Sequence, residues 1–199
     1  MNIATTLTAS RLVLSPVFFL VFFVPIWFGV FAVPSAVVLW ILFLFMEFSD
    51  AADGYVARKR NEVTDLGKVM DPFSDVISHL TCFVCLSAVG IMPIWIFLLL
   101  MYREFGIVFI RLLMIKEGVA LAARKGGKVK TVFFAIGVGL GLAVITLERM
   151  AMFPETEAIL RVATLVVFGI ALVLSLSSFA DYLRVFVTHM RGKDSQTEA

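Results

Sequence analysis

Long apolar runs separated by short polar breaks dominate the chain. Each run is about as long as a helix needs to cross a bilayer, roughly 20 residues. The runs fall at roughly 12–30, 36–57, 72–90, 94–116, 130–150 and 158–188. The breaks between them hold the proline, glycine, lysine and arginine residues that commonly end helices. The pattern predicts an all-α integral membrane protein with six transmembrane helices.

The two ends of the chain are polar. Residues 2–11 are rich in serine and threonine, which commonly start helices, and we expect a short interfacial N-terminal segment there. No removable signal peptide is expected, because no cleavage site follows a short apolar segment. We expect a single membrane domain over residues 1–190 and a disordered cytoplasmic tail over 191–199.

Composition and charge agree with a membrane location and add an orientation. Of the 199 residues 61% are hydrophobic and only 16% are charged, with a net charge of +2, which is outside the range of soluble domains. Fourteen lysines and arginines fall on one predicted side of the membrane, whereas only Arg149 and Arg161 fall on the other. The positive-inside bias therefore predicts that both termini face the cytoplasm.

Four aspartates stand where apolar runs end and begin, between the second and third predicted spans. Asp50 and Asp53 are three residues apart, and Asp71 and Asp75 are four apart, so on helices each pair shares one face. Carboxylate oxygens are the ligands that Mg²⁺ and Mn²⁺ prefer. The four side chains predict a cytoplasmic site for one or two divalent cations.

Small and basic residues follow the first aspartate pair. Gly54 and Ala57 leave room for a ligand to approach the backbone, and the Arg58 guanidinium offers a fork of donors suited to phosphate. Together with the cations, these residues predict a pocket for a metal-bound diphosphate.

The spacing Asp50-x2-Asp53-Gly54-x2-Ala57-Arg58-x8-Gly67-x3-Asp71-x3-Asp75 resembles the signature of the CDP-alcohol phosphotransferases, membrane enzymes that make phospholipid head groups. The resemblance implies Mg²⁺- or Mn²⁺-dependent attack of an alcohol on CDP-diacylglycerol, with CMP as the leaving group, and a homodimer in the membrane. It assigns Asp75 as the general base and all four aspartates as metal ligands. The residues it implies for CDP binding are Asp53, Gly54, Ala57, Arg58, Gly67 and Asp71.

A second group of charged residues indicates where an acceptor binds. Arg103 lies deep in the fourth predicted span, where a charge needs a partner or a polar cavity, and Arg111 follows two turns later. Lys128 and Lys130 begin the fifth span. We expect Arg103, Arg111, Lys128 and Lys130 to bind the phosphate of an anionic acceptor; the alternative for the two lysines is a role as topology signals.

These residues and the N-terminal pattern Asn2-Ile3-x-Thr5-x2-Thr8-x2-Arg11 resemble the phosphatidylglycerophosphate synthases within the superfamily, which implies glycerol 3-phosphate as acceptor. The run Asp75-Val76-Ile77-Ser78 is closer to that of phosphatidylserine synthases, so serine or inositol phosphate stays an alternative acceptor. A cation transporter is a more distant alternative, since carboxylates in membranes also mark ion pathways. No nucleic-acid partner is expected.

Three other residues have candidate chemistry. His79 shares a helix face with Asp75, and we expect a packed or carboxylate-paired histidine. Cys82 and Cys85 form a C-x2-C within an apolar run without a second pair to complete a metal site, which favours two buried small side chains.

Overall fold

The computed structural model describes the backbone of residues 3–60, 65–116, 119 and 125–197, and the side chains of 6–52, 70–116, 119 and 129–191. Within these ranges the protein is all-helical. Its six helices are α1 (Ile3–Phe28), α2 (Ala32–Arg60), α3 (Asp65–Ala88), α4 (Ile94–Lys116), α5 (Lys125–Met150) and α6 (Pro154–Thr197). Each predicted apolar run lies on one of them, which confirms the all-helical prediction.

Within the described residues, four helices are long and apolar enough to cross a membrane. Their candidate spans are Thr6–Phe28, Ala32–Ala52, Val129–Met150 and Pro154–Arg191. The other two helices, α3 and α4, are not among these candidate spans, and α4 buries Arg103 and Glu104 inside the protein, where they are 3% and 7% exposed. Six membrane crossings therefore stay a prediction.

The ends of the helices differ from the sequence prediction in three places. Helix α1 runs without a break through the predicted interfacial segment and the first span; where it meets the membrane surface stays a prediction. Helix α3 begins at Asp65 rather than near residue 72. Helix α6 is assigned to Thr197, so the described part of the 191–199 segment is helical, although a disordered tail is expected there.

Tight turns join three pairs of helices. Gly90, with a φ of 74°, ends α3, and the amide of Ile91 donates to the carbonyl of Leu86, a geometry that satisfies the carbonyls of the last turn. At the end of α5, the amide of Met152 donates a similar hydrogen bond to the carbonyl of Leu147. The short turns make the helices of each pair antiparallel. Asp50 of α2 and Asp71 of α3 lie at the same end of the bundle, since their carboxylates meet there.

Helix α3 packs against α1, α4 and α5. Phe83 of α3 contacts the rings of Phe134 on α5 and Phe168 on α6 edge to face, with centroids 4.9 and 5.4 Å apart. All three rings are at most 1% exposed. Apolar side chains on the outward faces, such as Phe48 and Ile159, are exposed, as expected of a surface that meets lipid. This arrangement places Asp71 and Asp75 of α3 beside Arg11 of α1 and Asp50 of α2.

Candidate active site

Three of the four predicted aspartates meet at one end of the bundle. Asp50 lies near the end of α2, and Asp71 and Asp75 lie one turn apart on α3. Each offers a carboxylate oxygen, and these oxygens lie within 4.8 Å of one another. The side chains are 34–49% exposed, so a ligand can reach them from solvent. Two helices thus supply the oxygen cluster that the aspartate spacing predicted.

Arg11 of α1 binds all three aspartates. One terminal nitrogen donates to Asp50 Oδ1 at 2.5 Å and also to Asp75 Oδ1, and the other donates to Asp71 Oδ1 at 3.0 Å. Arg11 is only 2% exposed. This role was missed from the sequence, where Arg11 was interpreted only as a topology charge and as part of the N-terminal pattern. The signal present was an arginine that opens a long apolar run.

Polar contacts between helices hold Arg11 in this position. The hydroxyls of Ser15 on α1 and Ser78 on α3 lie 3.1 Å apart, one turn beyond Arg11 and Asp75. Ser15 also donates to the Arg11 carbonyl, and Ser49 of α2 donates to the carbonyl of Leu7. Because serine is small, these contacts let α1 approach α2 and α3 closely. The side chain of Arg11 then reaches the carboxylates from a fixed backbone.

The three carboxylates suit a divalent cation. Hard cations such as Mg²⁺ and Mn²⁺ are bound by carboxylate oxygens supplied from a few residues, and the packing of α2 against α3 brings three such groups together. Burial raises the pKa of the Asp71 carboxyl above its ordinary value, while the positive charges of Arg11 and, more weakly, Arg111 lower it. Three acids so close need positive charge, and among the described residues Arg11 supplies it by direct contact.

A small cavity extends from the aspartates into the bundle. Asp50, Asp75, Glu47 and His79 are among its polar lining residues. The Nδ1 atom of His79 lies 2.9 Å from the carbonyl oxygen of Asp75, and its Nε2 lies 3.9 Å from Glu47 Oε1. The ring also packs against Phe134, with centroids 5.4 Å apart. The prediction of a packed or carboxylate-paired histidine is confirmed; Cys82 and Cys85 are buried free thiols, also as predicted.

Most residues predicted to bind CDP lie outside the described side chains. The backbone of α2 includes 53–58, and that of α3 includes 67, but nothing is described of the side chains at these positions. They are Asp53, Gly54, Ala57, Arg58 and Gly67. Their roles stay predictions, whereas Asp71 lies in the aspartate cluster.

The predicted acceptor group divides into two parts. Arg103 donates to Glu104 Oε1 at 2.6 Å, to the Ser175 carbonyl at 3.1 Å and to Ser178 Oγ at 3.3 Å. Lys130 donates to the same Glu104 oxygen. One buried carboxylate therefore joins two of the predicted cations in a cluster between α4, α5 and α6. Glu104 was not among the predicted site residues.

Arg111 lies apart from that cluster. Its guanidinium donates to the hydroxyl of Tyr182 on α6 at 3.2 Å and lies 5.5 Å from the centre of the same ring. Its positive charge weakly lowers the pKa of the Asp71 carboxyl. The side chain of Lys128 lies outside the described residues.

Comparisons with known proteins agree with this site. The profile of the CDP-alcohol phosphatidyltransferase family matches residues 1–177. The chain is 39% identical over 150 residues to the CDP-diacylglycerol--glycerol-3-phosphate 3-phosphatidyltransferase of Treponema pallidum, covering 73% of this chain and 68% of that protein.

Two further relatives match over longer stretches. A Mycobacterium tuberculosis protein named as a probable phosphatidylglycerophosphate synthase is 34% identical over 182 residues, covering 92% of this chain and 80% of its own. The CDP-diacylglycerol--glycerol-3-phosphate 3-phosphatidyltransferase of Bacillus subtilis is 30% identical over 168 residues, covering 81% of this chain and 87% of that protein. With the aspartate cluster in place and the family profile matched over most of its length, the chain belongs to the CDP-alcohol phosphatidyltransferase family.

Proposed function

We propose that the protein transfers the phosphatidyl group of CDP-diacylglycerol to sn-glycerol 3-phosphate and releases phosphatidylglycerophosphate and CMP. The observation that carries this proposal is the convergence of Asp50, Asp71 and Asp75 in a chain whose relatives are named for this reaction. The family assignment also favours transfer chemistry over the cation-transport alternative.

The aspartates would bind the diphosphate of the donor through divalent cations. Asp50, Asp53, Asp71 and Asp75 are the residues that would hold one or two Mg²⁺ or Mn²⁺ ions. A bound cation neutralises the diphosphate and the charge that develops on the departing CMP. We assign the cytidine diphosphate to Asp53, Gly54, Ala57, Arg58, Gly67 and Asp71, on the strength of the family signature.

Asp75 is the residue we assign as general base. Its carboxylate accepts the proton of the acceptor hydroxyl as the new oxygen–phosphorus bond forms and the bond to CMP breaks. The described geometry supports this role, since Asp75 lies on the cavity wall beside Asp50 and its backbone is held by His79. Positioning of the two substrates supplies much of the rate.

The acceptor phosphate is assigned to the basic residues Arg103, Arg111, Lys128 and Lys130. Arg111 supports this assignment best among the described residues, because its described partner is the neutral hydroxyl of Tyr182. Arg103 and Lys130 share one carboxylate, so their cluster keeps one net positive charge for an anion.

The proposed setting is the cytoplasmic (inner) membrane. Six spans, with both termini and the site on the cytoplasmic side, place the aspartates where nucleotides and glycerol 3-phosphate are available and leave the acyl chains of the donor in the bilayer. The positive-inside bias supports this orientation. The family resemblance further implies a homodimer.

The decisive experiment measures CMP release by the purified protein in detergent with CDP-diacylglycerol and Mg²⁺. We expect release with glycerol 3-phosphate and none with serine or inositol phosphate. Asp75→Asn should abolish it, while Glu155→Gln, the same change at an exposed position at the start of α6, should not. Release with a different acceptor would overturn the assigned substrate, and no release by folded protein would overturn the proposed function.

A further inference from the structure

We propose that Glu47 binds a second hydroxyl of the acceptor, the one on the carbon next to the hydroxyl that attacks phosphorus. The acceptor class is then a phosphorylated 1,2-diol rather than any phosphorylated alcohol. This inference rests on the proposed function. It extends that function to a residue outside both the aspartate signature and the basic residues assigned to the acceptor phosphate.

Glu47 is a carboxylate that the proposed reaction does not use. It lies on α2, three residues before Asp50, inside the apolar candidate span Ala32–Ala52. An ionisable side chain within a membrane span is unfavourable unless it has a partner or faces a polar cavity. Glu47 lines the small cavity that extends from the aspartates into the bundle. A polar ligand in that cavity can therefore reach its carboxylate.

The described partner of Glu47 leaves its carboxylate able to accept a hydrogen bond. The Nε2 atom of His79 lies 3.9 Å from Glu47 Oε1, which is longer than a hydrogen bond. The other ring nitrogen, Nδ1, lies 2.9 Å from the Asp75 carbonyl oxygen and donates to it, because a carbonyl oxygen only accepts. That bond fixes the ring with its Nε2 edge towards Glu47. The carboxylate and the imidazole edge thus form two sides of a gap that a small polar group can enter.

The other polar side chains that line the cavity have partners of their own. Its two aspartates bind the guanidinium of Arg11 and are assigned to cations. The hydroxyl of Ser78 lies 3.1 Å from that of a serine on α1. Among the described lining residues, Glu47 is therefore the strong acceptor that remains for a further polar ligand.

The attacking hydroxyl brings the second hydroxyl of glycerol 3-phosphate to this place. The first has to lie within hydrogen-bonding distance of Asp75, the assigned base. The neighbouring carbon carries the second hydroxyl, which therefore lies close to Asp75 as well. Glu47 and His79 line the same cavity as Asp75. The second hydroxyl donates to Glu47, which as a carboxylate only accepts, and the fixed ring of His79 closes the other side.

The position of an assigned phosphate ligand agrees with this placement. The ring centre of His79 lies 5.4 Å from that of Phe134, and Lys130 Nζ lies 4.8 Å from the centre of the same Phe134 ring. Lys130 is one of the cations assigned to the acceptor phosphate. One aromatic side chain therefore adjoins both the wall of the cavity and this cation, which suits an acceptor as short as a three-carbon phosphate.

The test compares sn-glycerol 3-phosphate with 3-hydroxypropyl phosphate, which has the same carbon chain and phosphate but no second hydroxyl. CMP release from CDP-diacylglycerol at saturating Mg²⁺ gives kcat/KM for each acceptor. We expect the unaltered protein to prefer glycerol 3-phosphate by at least about tenfold, because the analogue lacks a hydrogen bond to a carboxylate. Glu47→Met, which keeps the length of the side chain, should remove most of this preference. Glu148→Met, the same change at the opposite end of the bundle, should retain it.

The ratio of the two acceptors does not depend on the amount of folded protein, so it separates recognition from stability. A preference that persists in Glu47→Met would overturn the inference. So would the absence of a preference in unaltered protein that releases CMP with glycerol 3-phosphate. No release with either acceptor would instead contradict the proposed function itself.

A second measurement separates recognition of the acceptor from a role in the cation site. Glu47 lies one turn from Asp50, so its carboxylate has to be tested as a cation ligand as well. Mn²⁺ binding is followed in detergent without either substrate. We expect Glu47→Met to bind Mn²⁺ like the unaltered protein, whereas Asp75→Asn should bind it more weakly. A loss of Mn²⁺ affinity in Glu47→Met as large as that in Asp75→Asn would place Glu47 among the cation ligands and overturn its assignment to the acceptor.

Discussion

Lys130 on α5 donates a hydrogen bond to the carboxylate of Glu104 on α4, and both side chains are buried. Arg103 donates to the same oxygen at 2.6 Å and also reaches two serines on α6. Glu104 is therefore the centre of a charge cluster that joins three helices. Arg103 and Lys130, which are predicted to bind the acceptor, therefore also connect the helices through Glu104.

Replacing Glu104 is expected to destabilise the protein strongly. Glu104→Gln leaves Arg103 and Lys130 buried without their counter-charge, and breaking a buried ion pair in this way typically costs about 3–5 kcal/mol. The free energy of unfolding in detergent, or the thermal midpoint, measures the effect. Glu148→Gln is the matched control, because Glu148 is 33% exposed where it pairs with Arg161 and such pairs contribute at most about 1 kcal/mol. Equal stabilities of the two variants would contradict a structural role for the cluster.

Arg111 is expected to act on the acceptor with little effect on stability. Its described partner is the hydroxyl and ring of Tyr182, so Arg111→Gln removes a contact with a neutral side chain and breaks no ion pair among the described residues. We expect the KM for glycerol 3-phosphate to rise about tenfold, which corresponds to about 1.4 kcal/mol, while the KM for CDP-diacylglycerol stays the same. Tyr182→Phe keeps the ring but removes the hydrogen bond and should produce a smaller rise. An unchanged acceptor KM in Arg111→Gln would remove Arg111 from the acceptor site.

The contact between α3 and α5 depends on the absence of a side chain at Gly141. A Cβ atom there would lie 2.6 and 2.8 Å from the two methyl carbons of Leu86, which is 1% exposed and has no room to move. We expect Gly141→Ala to destabilise the protein by about 1–3 kcal/mol and to lower the rate, because α3 carries Asp71 and Asp75.

Gly139, two residues away on the same helix, provides the control for that experiment. A Cβ atom at Gly139 meets only Phe43 Cε1, at 3.8 Å, which is an ordinary contact. Gly139→Ala should therefore be neutral or stabilise the protein by up to about 1 kcal/mol through helix propensity. Thermal unfolding of the two variants side by side measures the difference. Equal destabilisation would indicate that helix α5 needs glycine for a reason other than its contact with α3.

The orientation in the membrane can be measured with introduced cysteines. Glu155 and Arg191 are exposed near opposite ends of the apolar span of α6. We expect an impermeant maleimide to label Glu155→Cys in intact cells and Arg191→Cys only after permeabilisation. The native Cys82 and Cys85 are 4% and 0% exposed, so background labelling should be low. The reverse result would invert the topology and move the aspartates to the outer side.

The helices and the aspartate pairs were predictable from local sequence pattern. Apolar runs of membrane length define helices because a backbone in lipid must satisfy its own hydrogen bonds. A spacing of four residues places Asp71 and Asp75 on one helix face whatever surrounds them. The same local reasoning placed His79 beside Asp75, and the structure confirms that position.

The partners of the charged residues were decided by tertiary packing. Arg11 binds Asp50 and Asp75, which lie 39 and 64 residues further along the chain, and Glu104 joins Lys130 across 26 residues. No periodicity links such positions, because their approach depends on how α1, α4 and α5 pack around the other helices. A cation needs a carboxylate once it is buried, but only the packed bundle determines which carboxylate lies within reach. For this reason Arg11, which is prominent in the folded site, had the appearance of an ordinary topology charge in the sequence.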